Sequence, residues 1–345
     1  MSRLGATTSR FAVAGAVVLA IIVGVVALLR YDSTGSTGSG LSSPFVYDIG
    51  EMAKIDPNLI MYQSEGSPFA TGLAESRHIL VDPNGVIYTT GDKAIRRFSR
   101  TGRLLDEIRL NGEPRPVAID NLGRIYVGLR DHIEVYDAKG ERLTVWDSLG
   151  ERALLTSIAI EENDVFVADA GNRIVLHYDT DGALIGRIGE KDEERSVPGF
   201  IVPNPYFKVA IAPDGLLRVI NPGRLRIEAY TYEGDLEFSW GKFSARIEGF
   251  CGCCNPVSFA ILPDESFVTV EKGLIRAKLY NSNGEFVGVV AGPEQLGVEG
   301  AMKIFYMPDQ NQAGGFDIAV DVQGRVFILD TIKNMVRVFS RKAEE

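Results

Sequence analysis

The stretch Ile79-Leu80-Val81-Asp82-Pro83-Asn84-Gly85-Val86-Ile87-Tyr88 places an apolar run on either side of an Asp-x-x-Gly turn. The same phrase returns as Val117-Ala118-Ile119-Asp120-Asn121-Leu122-Gly123-Arg124-Ile125-Tyr126 and as Ile318-Ala319-Val320-Asp321-Val322-Gln323-Gly324-Arg325-Val326-Phe327. Weaker copies lie at Ile158-Ala159-Ile160, Val209-Ala210-Ile211 and Phe259-Ala260-Ile261. Six units therefore begin near Ser76, Arg115, Thr156, Lys208, Val257 and Phe316. Each unit continues through a third run closed by an aromatic, such as Ile133-Glu134-Val135-Tyr136, then a Gly turn and a fourth run. A period of roughly 40 residues with four short strands per unit is that of propeller blades. The fold class expected is all-β, a six-bladed β-propeller, with an N-terminal transmembrane helix.

The last unit supplies only three strands before the chain reaches Glu345, while Leu59-Ile60-Met61-Tyr62 belongs to no unit. Placing Leu59 to Gln63 on the outside of the last blade closes the ring and removes an open sheet edge.

The repeat resembles NHL-repeat proteins, best at Val167-Ala168-Asp169-Ala170-Gly171-Asn172-Arg173-Ile174 and again at Leu329-Asp330-Thr331-Ile332-Lys333-Asn334-Met335-Val336. The resemblance runs from Ser76 to about Phe339. It implies a six-bladed propeller used for binding, scaffolding or, more rarely, catalysis, because such a repeat specifies fold rather than activity.

Ahead of the repeats, Phe11 to Leu29 is an unbroken apolar and glycine run. As a helix at ~1.5 Å per residue it would be about 28 Å long, close to the ~30 Å of a hydrocarbon core. Arg3 and Arg10 precede it, and Asp32 offsets Arg30 beyond it, which favours an N-terminus inside. The organisation expected is a cytoplasmic N-terminus at 1–10, a transmembrane helix at 11–29, a flexible Gly/Ser/Thr linker at 30–44 and the propeller at 45–345. A signal-anchor of this kind leads to a single-pass cell-membrane protein with a periplasmic or otherwise extracytoplasmic propeller. The formal net charge of −10 speaks against a nucleic-acid partner, which requires a basic footprint.

The connections at 190–207, 242–256 and 293–315 are longer than the others, and extra loop length at the mouth of a propeller channel is a usual place for binding. All three cysteines lie in one of them, Cys251-Gly252-Cys253-Cys254-Asn255-Pro256. A disulfide, a soft-metal site for copper or zinc with Met302 or Met307 as added ligands, and a reactive thiol are three competing readings. A binding face at the starts of the first strands is expected from Arg77, Arg115, Asn204, Tyr206, Asn255 and Asp317. His78, His132 and His177 fall in different units without metal-binding spacing and read as packing or solvent-exposed residues. Asp82, Asp120, Asp214, Asp264 and Asp321 recur with the turns and read as turn formers.

The function expected is a membrane-tethered extracytoplasmic binding or assembly module, with the membrane and a protein or small ligand as partners and the cysteine loop on the channel face. The alternative is a metal- or thiol-dependent propeller enzyme or electron-transfer accessory protein.

Overall fold

The computed structural model describes residues 18–26, 54–252, 254–297 and 315–343. By contacts the chain divides into two units, Met1–Asp48 and Ile49–Glu345. In the first, residues 18–26 form a helix. Among the described residues no helix is long and apolar enough to cross a membrane. The transmembrane helix expected over 11–29 is corrected accordingly, its remaining residues lying outside the described ones. With it go the membrane tether, the membrane as a partner, the signal-anchor and the single-pass placement with an extracytoplasmic propeller, all of which rested on that helix. The linker expected at 30–44 also lies outside the described residues.

The second unit is a six-bladed propeller. Blade 1 is built from Ser76–Val81, Ile87–Gly91, Ala94–Phe98 and Leu104–Arg109, and blade 2 from Val117–Ile119, Ile125–Gly128, Ile133–Tyr136 and Arg142–Val145. Blade 3 contains Leu155–Glu161, Asp164–Asp169, Ile174–Asp179 and Leu184–Ile188, and blade 4 contains Val209–Ile211, Leu217–Asn221, Arg226–Tyr230 and Leu236–Trp240. Blade 5 contains Ser258–Ile261, Phe267–Val270, Ala277–Tyr280 and Phe286–Ala291. Every neighbouring pair within these sheets is antiparallel, as four consecutive strands joined by tight turns must be.

Blade 6 takes Phe316–Val320, Val326–Asp330 and Met335–Arg341 from the end of the chain and Tyr62–Ser64 from its beginning. Tyr62 pairs with Arg341, Gln63 with Ser340 and Ser64 with Phe339. A second short strand, Phe69–Ala70, pairs with Val336 and Met335 at the other end of the same partner. The closing segment also reaches blade 5, where the Met61 N–H donates to Val289 O at 2.9 Å.

The recurrent aspartates act as the turns require. Asp82 Oδ1 accepts from Val86 N at 2.8 Å, Asp120 Oδ1 from Leu122 N and Arg124 N, and Asp321 Oδ1 from Gln323 N and Arg325 N. Each carboxylate thus satisfies turn N–H groups that the ladder leaves unpaired.

Blades meet through apolar faces, and the glycine of the turn between third and fourth strands is part of that contact. Gly182 (φ +90°) sits under Trp146 of the preceding blade and Gly284 (φ +77°) under Trp240, where an added Cβ would come to 2.7 Å and 2.2 Å from the indoles. Trp146 and Trp240 then continue onto Tyr178 and Tyr280 at ring-centroid distances of 5.0 Å and 4.9 Å. The aromatics that close the third strands are therefore inter-blade packing residues.

Candidate functional site at the channel mouth

The inner strands run side by side around the axis with their starts at one end. A cavity of about 510 Å³ opens there and draws its lining from all six blades. Arg77, Arg115, Thr156, Phe207, Val257 and Phe316 occupy one register and line it together, polar in blades 1 to 3 and apolar in blades 4 to 6.

One residue further along lies a second set in common register: His78, Pro116, Ser157, Lys208, Ser258 and Asp317. The inner strand of a propeller has one unpaired edge, and its N–H groups need acceptors. Side chains of this set supply them to the next blade. Ser157 Oγ accepts from Val209 N at 3.2 Å, Ser258 Oγ from Ile318 N at 3.3 Å and Asp317 Oδ2 from Ile79 N at 3.0 Å.

Asp317 is the hub. Its Oδ1 receives Lys208 Nζ at 2.7 Å, Ser258 Oγ at 2.6 Å and Ile318 N at 3.0 Å, and its Oδ2 receives His78 Nδ1 at 2.7 Å in addition to Ile79 N. Burial alone would push this carboxyl up, but Lys208 and His78 outweigh it and hold Asp317 well below the usual carboxylate range. Lys208 spends its three N–H donors on Asp317, Ser258 Oγ at 3.0 Å and Ile318 O at 2.8 Å. It fixes the carboxylate and has no donor left for a ligand.

His78 is different. With Nδ1–H committed to Asp317, the lone pair of a neutral imidazole falls on Nε2, which has no hydrogen-bond partner among the described residues. His78 is itself part of the cavity lining. The register shifts at Arg77, between Ser76 and His78. His78 reaches toward blade 6 through Asp317, and Arg77 toward blade 2, where its Nη2 lies 3.8 Å from Glu113 as well as 2.9 Å from Glu75.

Arg115 stands beside Arg77 at the start of blade 2, and its guanidinium has no ion pair among the described residues. Burial, then Arg77 and Arg130, lower its pKa, with Glu113 opposing. Tyr206 completes the rim under Lys272 Nζ, which lies 4.6 Å from the ring centroid. Burial, reinforced by Cys254, pushes its phenol up to about 12.

Of the binding face expected from sequence, Arg77, Arg115, Tyr206 and Asp317 line this cavity. Asn204 is buried next to it, its carbonyl accepting from Tyr206 N at 2.8 Å. Asn255 does not join them. Its side-chain amide accepts from Lys272 N at 2.9 Å and donates to Lys272 O at 3.0 Å and to Cys251 O, so it staples the cysteine loop to blade 5. His78, Lys208 and Ser258 were not anticipated as site residues. His177 is a packing residue as expected, stacked on Phe166 with centroids 4.4 Å apart.

The cysteine loop is not the cavity wall. Neither Cys251 nor Cys254 lines the cavity. The Cys251 N–H donates to Glu271 Oε1 at 3.1 Å, and Glu271 is fully buried with Arg276 and Lys278 at 3.0 Å from its Oε2. That buried cluster holds the loop down, which corrects the expectation of a cysteine-rich contact face. Among the described residues no group of three or more His, Cys, Asp or Glu side chains could hold a metal ion. Cys253, Met302 and Met307 lie outside the described residues.

No protein-family model matches the chain, NHL repeats included, and no curated relative matches it. The NHL resemblance is thereby corrected to the six-bladed architecture alone. Among solved structures the chain is similar to a gluconolactonase from Xanthomonas campestris, at 14% identity over 79% of this chain and 88% of that one, with a TM-score of 0.56. It is similar also to a streptogramin B lyase, at 13% identity over 81% of this chain and 98% of that one, TM-score 0.54. A third is a catalytically inactive variant of virginiamycin B lyase from Staphylococcus aureus with quinupristin, at 12% identity over 79% and 82%, TM-score 0.53. At such identities the likeness is one of fold.

Proposed function

We propose that this propeller is an enzyme whose active site is the channel-mouth cavity, with His78 as general base in the hydrolysis or elimination of a small ester or lactone. The observation that carries the reading is the pairing of His78 Nδ1 with Asp317 while Nε2 remains unpartnered in the cavity lining. An imidazole held in that tautomer accepts a proton at Nε2, from water in a hydrolysis or from a C–H in an elimination, and the adjacent carboxylate stabilises the imidazolium that results. Lys208 and Ser258 act through Asp317, fixing the orientation of its carboxylate rather than touching substrate. The solved propellers of like fold include both a lactonase and lyases, which supports ester and lactone chemistry as the class to examine first.

The test is turnover of a panel of lactones and aryl esters by the full chain and by His78→Gln. Turnover by the wild type, with kcat reduced about 10²–10⁴-fold in the variant, is expected for loss of a general base. Equal turnover by the two proteins overturns the assignment, as does a wild type inert across the panel.

A further inference from the structure

We infer that the same cavity selects substrates carrying a carboxylate, held by Arg115 with Arg77 beside it, an inference that rests on the channel mouth being the active site. Arg77 and Arg115 are neighbours across the joint between blades 1 and 2, at one register and in one cavity lining. Arg77 is partly neutralised by Glu75 at 2.9 Å and Glu113 at 3.8 Å, yet its buried Nε has no hydrogen-bond partner. Arg115 has no ion pair among the described residues, and the charges nearest to it include two further arginines, Arg77 and Arg130.

A part-buried guanidinium with no ion pair among the described residues, in a chain of net charge −10, is a local exception to the protein's own field. The planar fork of arginine suits a carboxylate, which accepts two parallel N–H bonds. Glu75 and Glu113 already offset part of the positive charge of the two arginines, so what remains suits a monoanion better than a phosphate dianion. Lys208 cannot contribute, since its three donors are already used. His78 reaches Asp317 of blade 6 and Arg77 reaches Glu113 ahead of blade 2, so the carboxylate sits toward blade 2 and the reacting bond toward blade 6. The substrate would span from one to the other.

Calorimetric titration of the full chain with phenylacetate, phenylacetamide and inorganic phosphate tests this. Phenylacetate is expected to bind about ten-fold or more tightly than the isosteric neutral amide, and Arg115→Gln to abolish that preference while His78→Gln retains it. With a turned-over substrate bearing a carboxylate, Arg115→Gln should raise KM far more than it lowers kcat. Equal binding of acid and amide, no binding of either, a preference that survives Arg115→Gln, or phosphate binding tighter than phenylacetate overturns the carboxylate site. A wild type that prefers phenylacetate but turns over no ester or lactone would leave the anion site standing and remove the general-base assignment, so the two failures are distinct.

Discussion

The Nδ1 of His78, at the start of the first blade, lies 2.7 Å from Oδ2 of Asp317, at the start of the last. The carboxylate that orients the imidazole also receives the Ile79 backbone N–H, the Lys208 ammonium and the Ser258 hydroxyl, so it ties blade 6 to blades 1, 4 and 5. Asp317→Asn should therefore act on stability as well as on chemistry. Removing one partner of a buried pair leaves the other uncompensated, and a loss of about 3–5 kcal/mol is expected, to be read from denaturant unfolding. A change below 1 kcal/mol would show that the hub carries little of the ring's stability.

The acid limb of stability follows from the same carboxylate. Its pKa in the folded protein lies below the ~3.9 of an unfolded aspartate. The unfolded chain therefore takes up the proton first, and the stabilisation is full above about pH 5 and lost as pH falls through 4 toward the folded value. The stability gap between wild type and Asp317→Asn should accordingly narrow between pH 5 and pH 3. A gap constant over that range would remove Asp317 as a source of acid sensitivity.

Lys278 predicts an alkaline effect of the same sign. Burial pushes its ammonium down to about 8, with Glu271 opposing. Between pH 8 and roughly 10 an unfolded lysine still holds its proton while the folded one has released it, so stability from this residue rises with pH. Comparing wild type with Lys278→Met from pH 7.5 to 9.5 isolates the slope. The wild type should gain on the variant across the range, and parallel curves would contradict the shift.

Ring closure can be probed with single side chains. Tyr62 is buried in the closing strand, whereas Gln63 beside it is exposed. Tyr62→Ala is expected to cost about 3–5 kcal/mol as a large buried side chain lost to a cavity, and Gln63→Ala no more than about 0.5 kcal/mol. Similar melting temperatures for the two variants would mean that the strand contributes little to closure.

Much of the architecture could be read from the chain because its determinants are local. Asp82, Asp120 and Asp321 announce their turns, and the aromatics ending the third strands announce the blade interfaces. Part of the site was legible by position, since residues at the starts of inner strands must gather at one end, which brought out Arg77, Arg115, Tyr206 and Asp317. His78 was missed because it was weighed within its own unit, where it has no partner. Aligned across units, the residue immediately before the repeated apolar triplet of each inner strand gives the set His78, Pro116, Ser157, Lys208, Ser258 and Asp317, which is polar at five of six positions. That signal is periodic and invisible along the chain. The cysteines misled for the converse reason: their closeness in sequence suggested a shared site, whereas Glu271, Arg276 and Lys278 in the following blade determine how the loop sits.

The closing strand also imposes an order on biosynthesis. Tyr62 emerges from the ribosome about 280 residues before Arg341, its partner, an interval of roughly 15–60 s at ordinary elongation rates of about 5–20 residues per second. For that time a strand made first has nowhere to pair, and five blades can stack outward from blade 1 while the sixth is incomplete. The nascent chain is thus an open arc with two adhesive ends, and its vulnerability to mispairing with a second copy ends only when its last residues arrive.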